Sequence, residues 1–377
     1  MTDRLSKSDT KKLLIVHSFM GFIQFGLGFS VALLKQDFGI TRVLASSHNL
    51  CWALSVILIS IWAPKYICKI PPQKTLRLGW TLMMVGIYGF CFGDSIWVTV
   101  PFFGLAAVGA TLFNNTNSGV LGSTPSSALK MMFRSSGLGT FCGAFLPTSM
   151  GVLIREGIEW RISILVATSI FGVVSLLIIP KIAVADIQGE PNKVIHWSNS
   201  FILLVFLGFL TTWLEVGAVV WSVELLFDRG ANRSSAVIFA SGIWYVIGLW
   251  RVLISSLSKI PTNLVWRFSS ACIVIGVLII SISHDYKFAF IGLFITALGV
   301  GSKTPISLTC SVTSNQSVDH GVATFTIGMG AALGLAPWAM AWISESYGFS
   351  HAYFSLIIIL LITNIIYSKV TKTLSIY

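Results

Sequence analysis

Twelve apolar segments, each about as long as a helix that crosses a bilayer, run through this 377-residue chain. A bilayer core of about 30 Å is crossed by roughly 20 apolar residues in a helix. Only 10% of the residues are charged and 55% are hydrophobic, whereas a typical soluble domain has about 25% charged residues. The composition therefore excludes a soluble enzyme, a disordered chain and a disulfide scaffold, and it indicates an all-α polytopic membrane protein.

The segments are separated by short polar loops, which leave no room for a folded extramembrane domain. The longest loop, near 181–199, falls at the midpoint of the chain. We therefore predict an N-terminal six-helix bundle over 1–180, a cytoplasmic linker over 181–199 and a C-terminal six-helix bundle over 200–377. The predicted spans are 13–34, 43–63, 76–93, 96–121, 132–154, 161–180, 200–225, 234–257, 265–283, 288–312, 321–343 and 350–368.

The positive charges predict the orientation of these spans. Of the 25 lysines and arginines, seventeen fall on the side of the N-terminus and seven on the opposite side. Cytoplasmic loops carry the excess of Lys and Arg, so we expect both termini in the cytoplasm and the chain in the cytoplasmic membrane. The first apolar run is long enough to stay in the bilayer, so no cleavable signal peptide is expected. This topology also explains the net charge of +11, and no nucleic-acid partner is predicted.

Motifs for cofactor, metal or nucleotide chemistry are missing from the sequence. The six cysteines are scattered without CxxC pairs or Cys/His clusters, so no metal or cofactor site is predicted. No phosphate-binding loop of the G-x-x-x-x-G-K-[S/T] type occurs, so an ion or solute gradient must supply the energy for any transport. An intramembrane enzyme would have to use His284-Asp285 or Asp319-His320. Adjacent side chains rarely converge on one site, and an enzyme is not predicted.

The two halves of the chain resemble each other at a shift of 190 or 191 residues. Lys69-Ile70-Pro71 with Arg77 recurs as Lys259-Ile260-Pro261 with Arg267, Gly86 and Gly109 recur as Gly276 and Gly299, and the triad Gly137, Gly139, Gly143 recurs as Gly328, Gly330, Gly334. Six spans per half make the repeat parallel, and a parallel repeat predicts a solute site between the halves. Small residues at i, i+4 spacing allow close helix packing where the bundles move.

Several short motifs accompany this repeat. They are Gly157-Ile-Glu-Trp160-Arg161 before span six, Glu215-Val-Gly217-x-x-x-Trp221 in span seven, Ser241-Gly-x-Trp244 and Arg251 in span eight, and Asn117 in span four. The whole chain resembles the major facilitator superfamily, and the first of these motifs resembles the G-x-x-W-R segment of that superfamily. The other motifs are similar to those of its fucose–galactose–glucose proton symporters. The resemblance implies twelve helices in two parallel halves, alternating access, a small hydrophilic solute such as a sugar, a proton or other coupling ion, and a monomer in the lipid bilayer.

The loop between spans two and three departs from that superfamily. Its members carry G-x-x-x-D-R-x-G there, whereas this chain reads Ala63-Pro-Lys65-Tyr-Ile-Cys-Lys69-Ile-Pro71 without an acid. The corresponding loop of the second half, 255–259, also lacks one. We predict Arg77 and Arg251 as gating residues. A non-transporting paralogue or receptor stays open, as does an exporter of drugs or metabolites.

Polar side chains lie well inside four of the predicted spans. An ionisable group at the bilayer centre costs about 2.5–3.5 kcal/mol, so such residues face a cavity or a partner. The resemblance implies that these four helices surround a central cavity. The predicted substrate-binding residues are Gln24, Asn114, Asn117, Glu215, Trp221 and Lys303.

Glu215 is the predicted proton-coupling residue, because a carboxylate inside the bilayer can gain and lose a proton as the solute binds. The alternative is a carboxylate that is permanently paired to Lys303 or hydrogen-bonded within the bundle, where it adds rigidity. Trp221 either stacks on a sugar ring or packs in the interior. Glu224, near the end of the same span, is interpreted as a solvated helix end.

Overall fold

The computed structural model describes residues 6–66, 70–122, 128–182, 199–256, 260–314 and 318–373, and these are almost entirely helical. The helices are α1 (Lys7–Phe38), α2 (Arg42–Ala45), α3 (Ser47–Tyr66), α4 (Pro72–Phe92), α5 (Ile96–Gly122), α6 (Ala128–Gly143), α7 (Phe145–Arg155), α8 (Trp160–Ile178), α9 (Asn199–Val219), α10 (Ser222–Asp228), α11 (Arg233–Ser256), α12 (Thr262–Ile282), α13 (Tyr286–Ser314), α14 (Val318–Tyr347) and α15 (Phe349–Thr373). Residues 183–198, most of the predicted linker, lie outside the described ranges.

Twelve helical segments of the described chain are long and apolar enough to cross a membrane, which confirms the predicted count. Three of these spans consist of two consecutive helices, namely α2 with α3, α6 with α7, and α9 with α10. An even number of crossings places both ends of the described chain on one side of the bundle. We call that side the terminal face and the opposite side the distal face.

The helix ends follow local signals that the sequence carries. The Ser6 hydroxyl accepts a hydrogen bond from the Asp9 amide at the start of α1, as a capping residue does. Gly39 follows the last residue of α1 with a φ of 62°, a left-handed conformation that glycine adopts at little cost. α1 therefore extends beyond the predicted span 13–34 at both ends, because capping rather than apolarity sets where it stops.

The outward surface of the bundle is apolar. Trp97 is 86% exposed, Leu177 is 76% exposed and Ile282 is 73% exposed. Large apolar side chains with that exposure suit contact with lipid tails, whereas a soluble monomer rarely exposes wide apolar patches. The surface agrees with the membrane location that the composition predicts.

Glycine contacts reproduce part of the internal repeat. Gly86 of α4 packs against the backbone of Ala106 in α5, and Gly276 of α12 packs against the backbone of Thr296 in α13. Both members of the second pair lie 190 residues after those of the first. The shift read from the sequence therefore relates equivalent contacts in these two helix pairs.

The glycine triad is shifted relative to the prediction. Gly139 packs against Gly21 of its own half, whereas its predicted counterpart Gly330 packs against Val56 of the other half. Gly328, two residues earlier, packs against its own half through α9. Two residues turn an α-helix by about 200°, so pairing Gly139 with Gly330, at a shift of 191, matches opposite faces of the two helices. Pairing Gly139 with Gly328, at a shift of 189, matches the faces that pack within their own half.

Helix α11 of the second half packs along much of helix α6 of the first half and so joins the two halves. A Cβ atom added at Gly248 of α11 would overlap the backbone of Phe141 in α6, whereas one at Gly242 would lie 3.3 Å from the ring of Phe290. We expect Gly248→Ala to cost about 1–3 kcal/mol of stability, as overpacking does, and Gly242→Ala to be neutral. Thermal unfolding of the two variants in detergent measures the difference. Equal melting temperatures would show that α11 and α6 are not in close contact.

Candidate functional site

A cavity lies between the two halves, on the distal side of the bundle centre. It encloses about 690 Å³ free of protein atoms, part of it open to solvent. Its walls come from α1, α3 and α5 in the first half and from α9, α11 and α14 in the second. The lining residues are Gln24, Phe25, Gly28, Phe29, Asn49, Trp52, Phe103, Val216, Val219, Val220, Trp244 and Leu333.

Aromatic rings dominate the wall of this cavity. Phe25 and Trp244 meet across the two halves with ring centroids 4.2 Å apart. Trp52 and Phe103 pack edge to face at 5.2 Å. The amide side chains of Gln24 and Asn49 contribute the polar part of the wall. The cavity can therefore hold an organic molecule between aromatic faces and offer it a few hydrogen bonds.

Two of the predicted binding residues meet beside the cavity. The Asn114 amide nitrogen donates to the Gln24 side-chain oxygen at 3.5 Å. The Asn114 side-chain oxygen is buried without a hydrogen-bond partner in the described chain. Asn117 lies one turn closer to the terminal face, where it is fully buried and its amide is 3.4 Å from a ring nitrogen of His17. Gln24 of α1 thus lines the cavity, whereas Asn117 contacts His17 of the same helix, outside the cavity lining.

Glu215 forms a buried ion pair with Arg251. One guanidinium nitrogen of Arg251 donates to Glu215 Oε2 at 2.5 Å, and the Thr304 hydroxyl donates to the same oxygen at 2.5 Å. Glu215 is 8% exposed and Arg251 is 3% exposed. Arg251, predicted as a gating residue, lies inside the protein, where the Glu215 carboxylate neutralises it.

Arg251 also connects the two halves of the molecule. Its Nε donates to the Gly301 carbonyl oxygen at 2.6 Å within the second half. Another guanidinium nitrogen donates across the interface to the hydroxyls of Ser136, at 2.8 Å, and Thr140, at 3.1 Å. The charge state of Glu215 is therefore linked, through one side chain, to a contact between the halves.

Lys303 lies apart from this network. Its ammonium group sits 3.6 Å from the centre of the Trp266 ring and donates to the Ser270 hydroxyl at 3.0 Å. The side chain is fully buried, and contact with an aromatic face compensates part of its charge. The alternative pairing of Glu215 with Lys303 is wrong, because Glu215 pairs with Arg251. The other alternative, a carboxylate hydrogen-bonded within the bundle, agrees with the contacts to Arg251 and Thr304. Of the predicted binding residues, Gln24 lines the cavity described above, and Asn117, Glu215 and Lys303 are not among its lining residues.

Trp221 and Arg77 lie away from the cavity wall. Trp221 sits at the break between α9 and α10, is 1% exposed, and donates its indole N–H to the Pro337 carbonyl oxygen at 2.8 Å. Its neighbours Val219 and Val220 line the cavity instead. Arg77 is exposed on α4 near the terminal face. The acid-free loop side chains at 63–69 lie outside the described part of the chain.

A second ionic cluster joins the halves at the distal face. Glu224 of α10 accepts hydrogen bonds from Lys35 at 2.9 Å, Gln36 at 3.0 Å and Arg42 at 3.4 Å, all from the first half. Glu224 is 3% exposed. Its interpretation as a solvated helix end is wrong, because three donors from the opposite half cover the carboxylate.

Asp37 adds a further link across the same face. It accepts a hydrogen bond from Arg233 of the second half at 2.7 Å and one from the Trp160 indole at 2.7 Å. We call Lys35, Asp37, Arg42, Glu224 and Arg233 the distal latch. Its ion pairs close the distal ends of the two halves over the aromatic cavity.

Some residues of this site escaped the sequence analysis. Asn49 was missed because it lies near the start of the predicted span 43–63 and looks like an interfacial residue. The aromatic wall was missed because phenylalanine and tryptophan are common in membrane helices. The latch carried a readable signal, since charges of opposite sign cluster at the distal ends of spans one and seven.

Comparisons of the structure with solved proteins identify the fold. The xylose transporter XylE from E. coli, in a partially occluded inward-open conformation, matches with a TM-score of 0.76, 10% identity, and 96% of this chain and 98% of that chain covered. The chain has the major facilitator fold. FucP, a major facilitator transporter in an outward conformation, matches with a TM-score of 0.68, 12% identity and coverage of 97% and 99%.

A third similar structure extends the range of neighbours with this fold. A bacterial homologue of the human lysosomal transporter Spinster, inward-facing and occupied, matches with a TM-score of 0.68, 13% identity and coverage of 97% and 96%. No family model matches the sequence, and no curated protein matches it. At these identities the likeness shows the fold, so function has to be argued from the site.

Proposed function

We propose that this chain is a secondary active transporter that moves a small, uncharged, sugar-like solute through the cytoplasmic membrane by alternating access. Transport is coupled to protons through Glu215, and the terminal face is cytoplasmic. The aromatic cavity holds the solute, and the transporting unit is a monomer. Transporters of the same fold, solved in inward and outward conformations, support this proposal.

The single observation that carries the proposal is the buried Glu215–Arg251 pair at 2.5 Å. When Glu215 takes up a proton, Arg251 loses the charge that compensates it inside the protein. We expect Arg251 then to change its hydrogen bonds to Ser136 and Thr140 of the first half. Proton uptake is in this way linked to the packing of one half against the other.

The test separates solute movement from its coupling. A thermal-shift screen of the purified protein against sugars, amino acids and carboxylates first selects a stabilising solute. Proteoliposomes then report uptake of that solute under a pH gradient and, separately, its exchange at equilibrium. We expect the wild type to accumulate the solute, and we expect accumulation to stop when a protonophore is added. Glu215→Gln should keep exchange but lose accumulation at least tenfold.

The matched control is Glu156→Gln, which removes an exposed acid whose partner Arg155 lies next to it in the chain. This variant should accumulate solute like the wild type. Accumulation by Glu215→Gln at the wild-type level would refute coupling through Glu215. A wild type that exchanges no solute from the screen would refute transport and favour the non-transporting receptor.

A second candidate function is export of an apolar metabolite or drug. The observation that favours it is the cavity wall, in which ten of the twelve lining residues are apolar or glycine. The direction of proton-driven movement decides between the two functions. Accumulation in vesicles with an acidic exterior supports uptake, and accumulation in inside-out vesicles with an acidic interior supports export.

A further inference from the structure

Two residues that line the aromatic cavity each carry a buried hydrogen-bond donor without a partner in the described chain. The side-chain nitrogen of Asn49 and the indole nitrogen of Trp244 make no hydrogen bond in the described chain. Asn49 is 9% exposed and both residues line the cavity. Leaving a buried donor unpaired costs about 1–3 kcal/mol. The two sites therefore favour a molecule that brings hydrogen-bond acceptors.

The cavity wall carries no ionisable side chain among its twelve lining residues. A carboxylate or phosphate entering it would lose hydration without gaining a counter-charge, which is costly. A cation would gain contact with the aromatic faces. It would also place positive charge beside two N–H donors and leave both unpaired. The chemistry of the wall thus favours a neutral molecule over either ion.

From these observations we infer the class of solute, and this inference rests on the proposed function of the cavity. The solute is an uncharged molecule with a flat apolar face and at least two acceptor oxygens, as in an aryl glycoside. The flat face lies between Phe25, Trp244 and Trp52, where aromatic pairs add stabilisation beyond buried area. Its oxygens accept hydrogen bonds from Asn49 and Trp244.

Four small probes test this class. They are phenyl β-D-glucoside, which is neutral with a ring and acceptors, methyl β-D-glucoside, which lacks the ring, phenyl phosphate, which is anionic, and phenyltrimethylammonium, which is cationic without acceptors. Binding to the full-length protein in detergent is measured by tryptophan fluorescence and by thermal shift. We expect phenyl β-D-glucoside to bind at least tenfold more tightly than each of the others. Equal or tighter binding of any other probe would overturn the inference.

Variants show whether the probe occupies this cavity. Trp244→Phe keeps an aromatic ring and removes the donor, and Asn49→Ala removes the amide. Each should weaken phenyl β-D-glucoside roughly five- to tenfold, the effect of one lost hydrogen bond. The control is Trp250→Phe, because Trp250 lies on the same helix with an unpartnered indole nitrogen but outside the cavity wall. Equal weakening by Trp244→Phe and Trp250→Phe would overturn the assignment.

Gly28 allows a test that does not rely on removing a side chain. It lines the cavity, and a Cβ atom added there would meet no heavy atom within 4 Å. Because the space at this Cβ position is open, we expect Gly28→Leu to place its side chain in the cavity, to abolish phenyl β-D-glucoside binding and to keep the melting temperature of the protein. A variant that folds and still binds would overturn the site.

Failure of this inference can be told from failure of the proposed function. If methyl β-D-glucoside binds best and is accumulated under a pH gradient, the transporter proposal stands and the solute class is wrong. If phenyl β-D-glucoside binds with the expected variant effects but no solute is ever exchanged, the class of ligand stands and transport is wrong.

Discussion

Replacing Glu215 with leucine should lower the free energy of unfolding by about 3–5 kcal/mol, the usual cost of removing one partner of a buried ion pair. The cost arises because Arg251 stays inside the protein with its charge uncompensated. Arg251→Leu should cost a similar amount, since in the described part of the chain it leaves the buried carboxylate with the Thr304 hydroxyl as its remaining donor. Unfolding of the purified variants by denaturant in detergent measures both values.

The double variant Glu215→Leu/Arg251→Leu distinguishes a true pair from two independent polar groups. Because it removes both charges, it should lie within about 1–2 kcal/mol of the wild type, as apolar replacements of whole buried pairs do. Thr304→Val removes one hydrogen bond to the same charged carboxylate and should cost about 1.5–3 kcal/mol. Additive losses in the double variant would show that Glu215 and Arg251 do not interact.

The number and type of spanning segments could be read directly from the sequence. Transfer of about 20 residues into lipid depends mainly on their own side chains and backbone, so each segment carries its own signal. The positions of Gly86 and Gly276, packed against equivalent partners 190 residues apart, were readable for a similar reason. A close helix contact requires a small residue wherever it occurs.

Partners within the site could not be read, because they depend on helix rotation and depth. Glu215 and Arg251 lie on successive spans, and nothing local distinguishes Arg251 from an arginine that reaches toward the membrane surface. Lys303 showed the opposite problem. Its place inside a span indicated an ionic partner, whereas the structure gives it the Trp266 ring and the Ser270 hydroxyl.

The ionic contacts of the distal latch could not be read for a related reason. The resemblance directed attention to the acid-free loop near Lys65, on the side of the termini. The ionic contacts between the halves that the structure describes include Glu224 with Lys35, separated by 189 residues along the chain. Such pairs form only when the two halves close, so the sequence of either half alone does not indicate them.

Removing the charge of Glu224 should shift the molecule toward a state that is open at the distal face. Glu224→Gln keeps the shape of the side chain but leaves Lys35 and Arg42 without their acid. We expect the closed state to lose about 2 kcal/mol of stability relative to the open state. This value is at the lower end for a buried hydrogen-bonded charge, because these two cations keep about a fifth of their side-chain surface exposed. That energy changes the ratio of closed to open molecules about 30-fold.

Spin labels at Asp94→Cys and Asp228→Cys, two exposed positions near the distal ends of opposite halves, measure this shift in a background free of the six native cysteines. The distance distribution should gain a longer component in Glu224→Gln, and Arg233→Gln should act in the same direction because it releases Asp37. Glu156→Gln is the matched control, since its exposed pair with Arg155 lies within one half and such pairs contribute at most about 1 kcal/mol. An unchanged distribution in Glu224→Gln, with the control unchanged as well, would show that the distal latch does not hold the closed state.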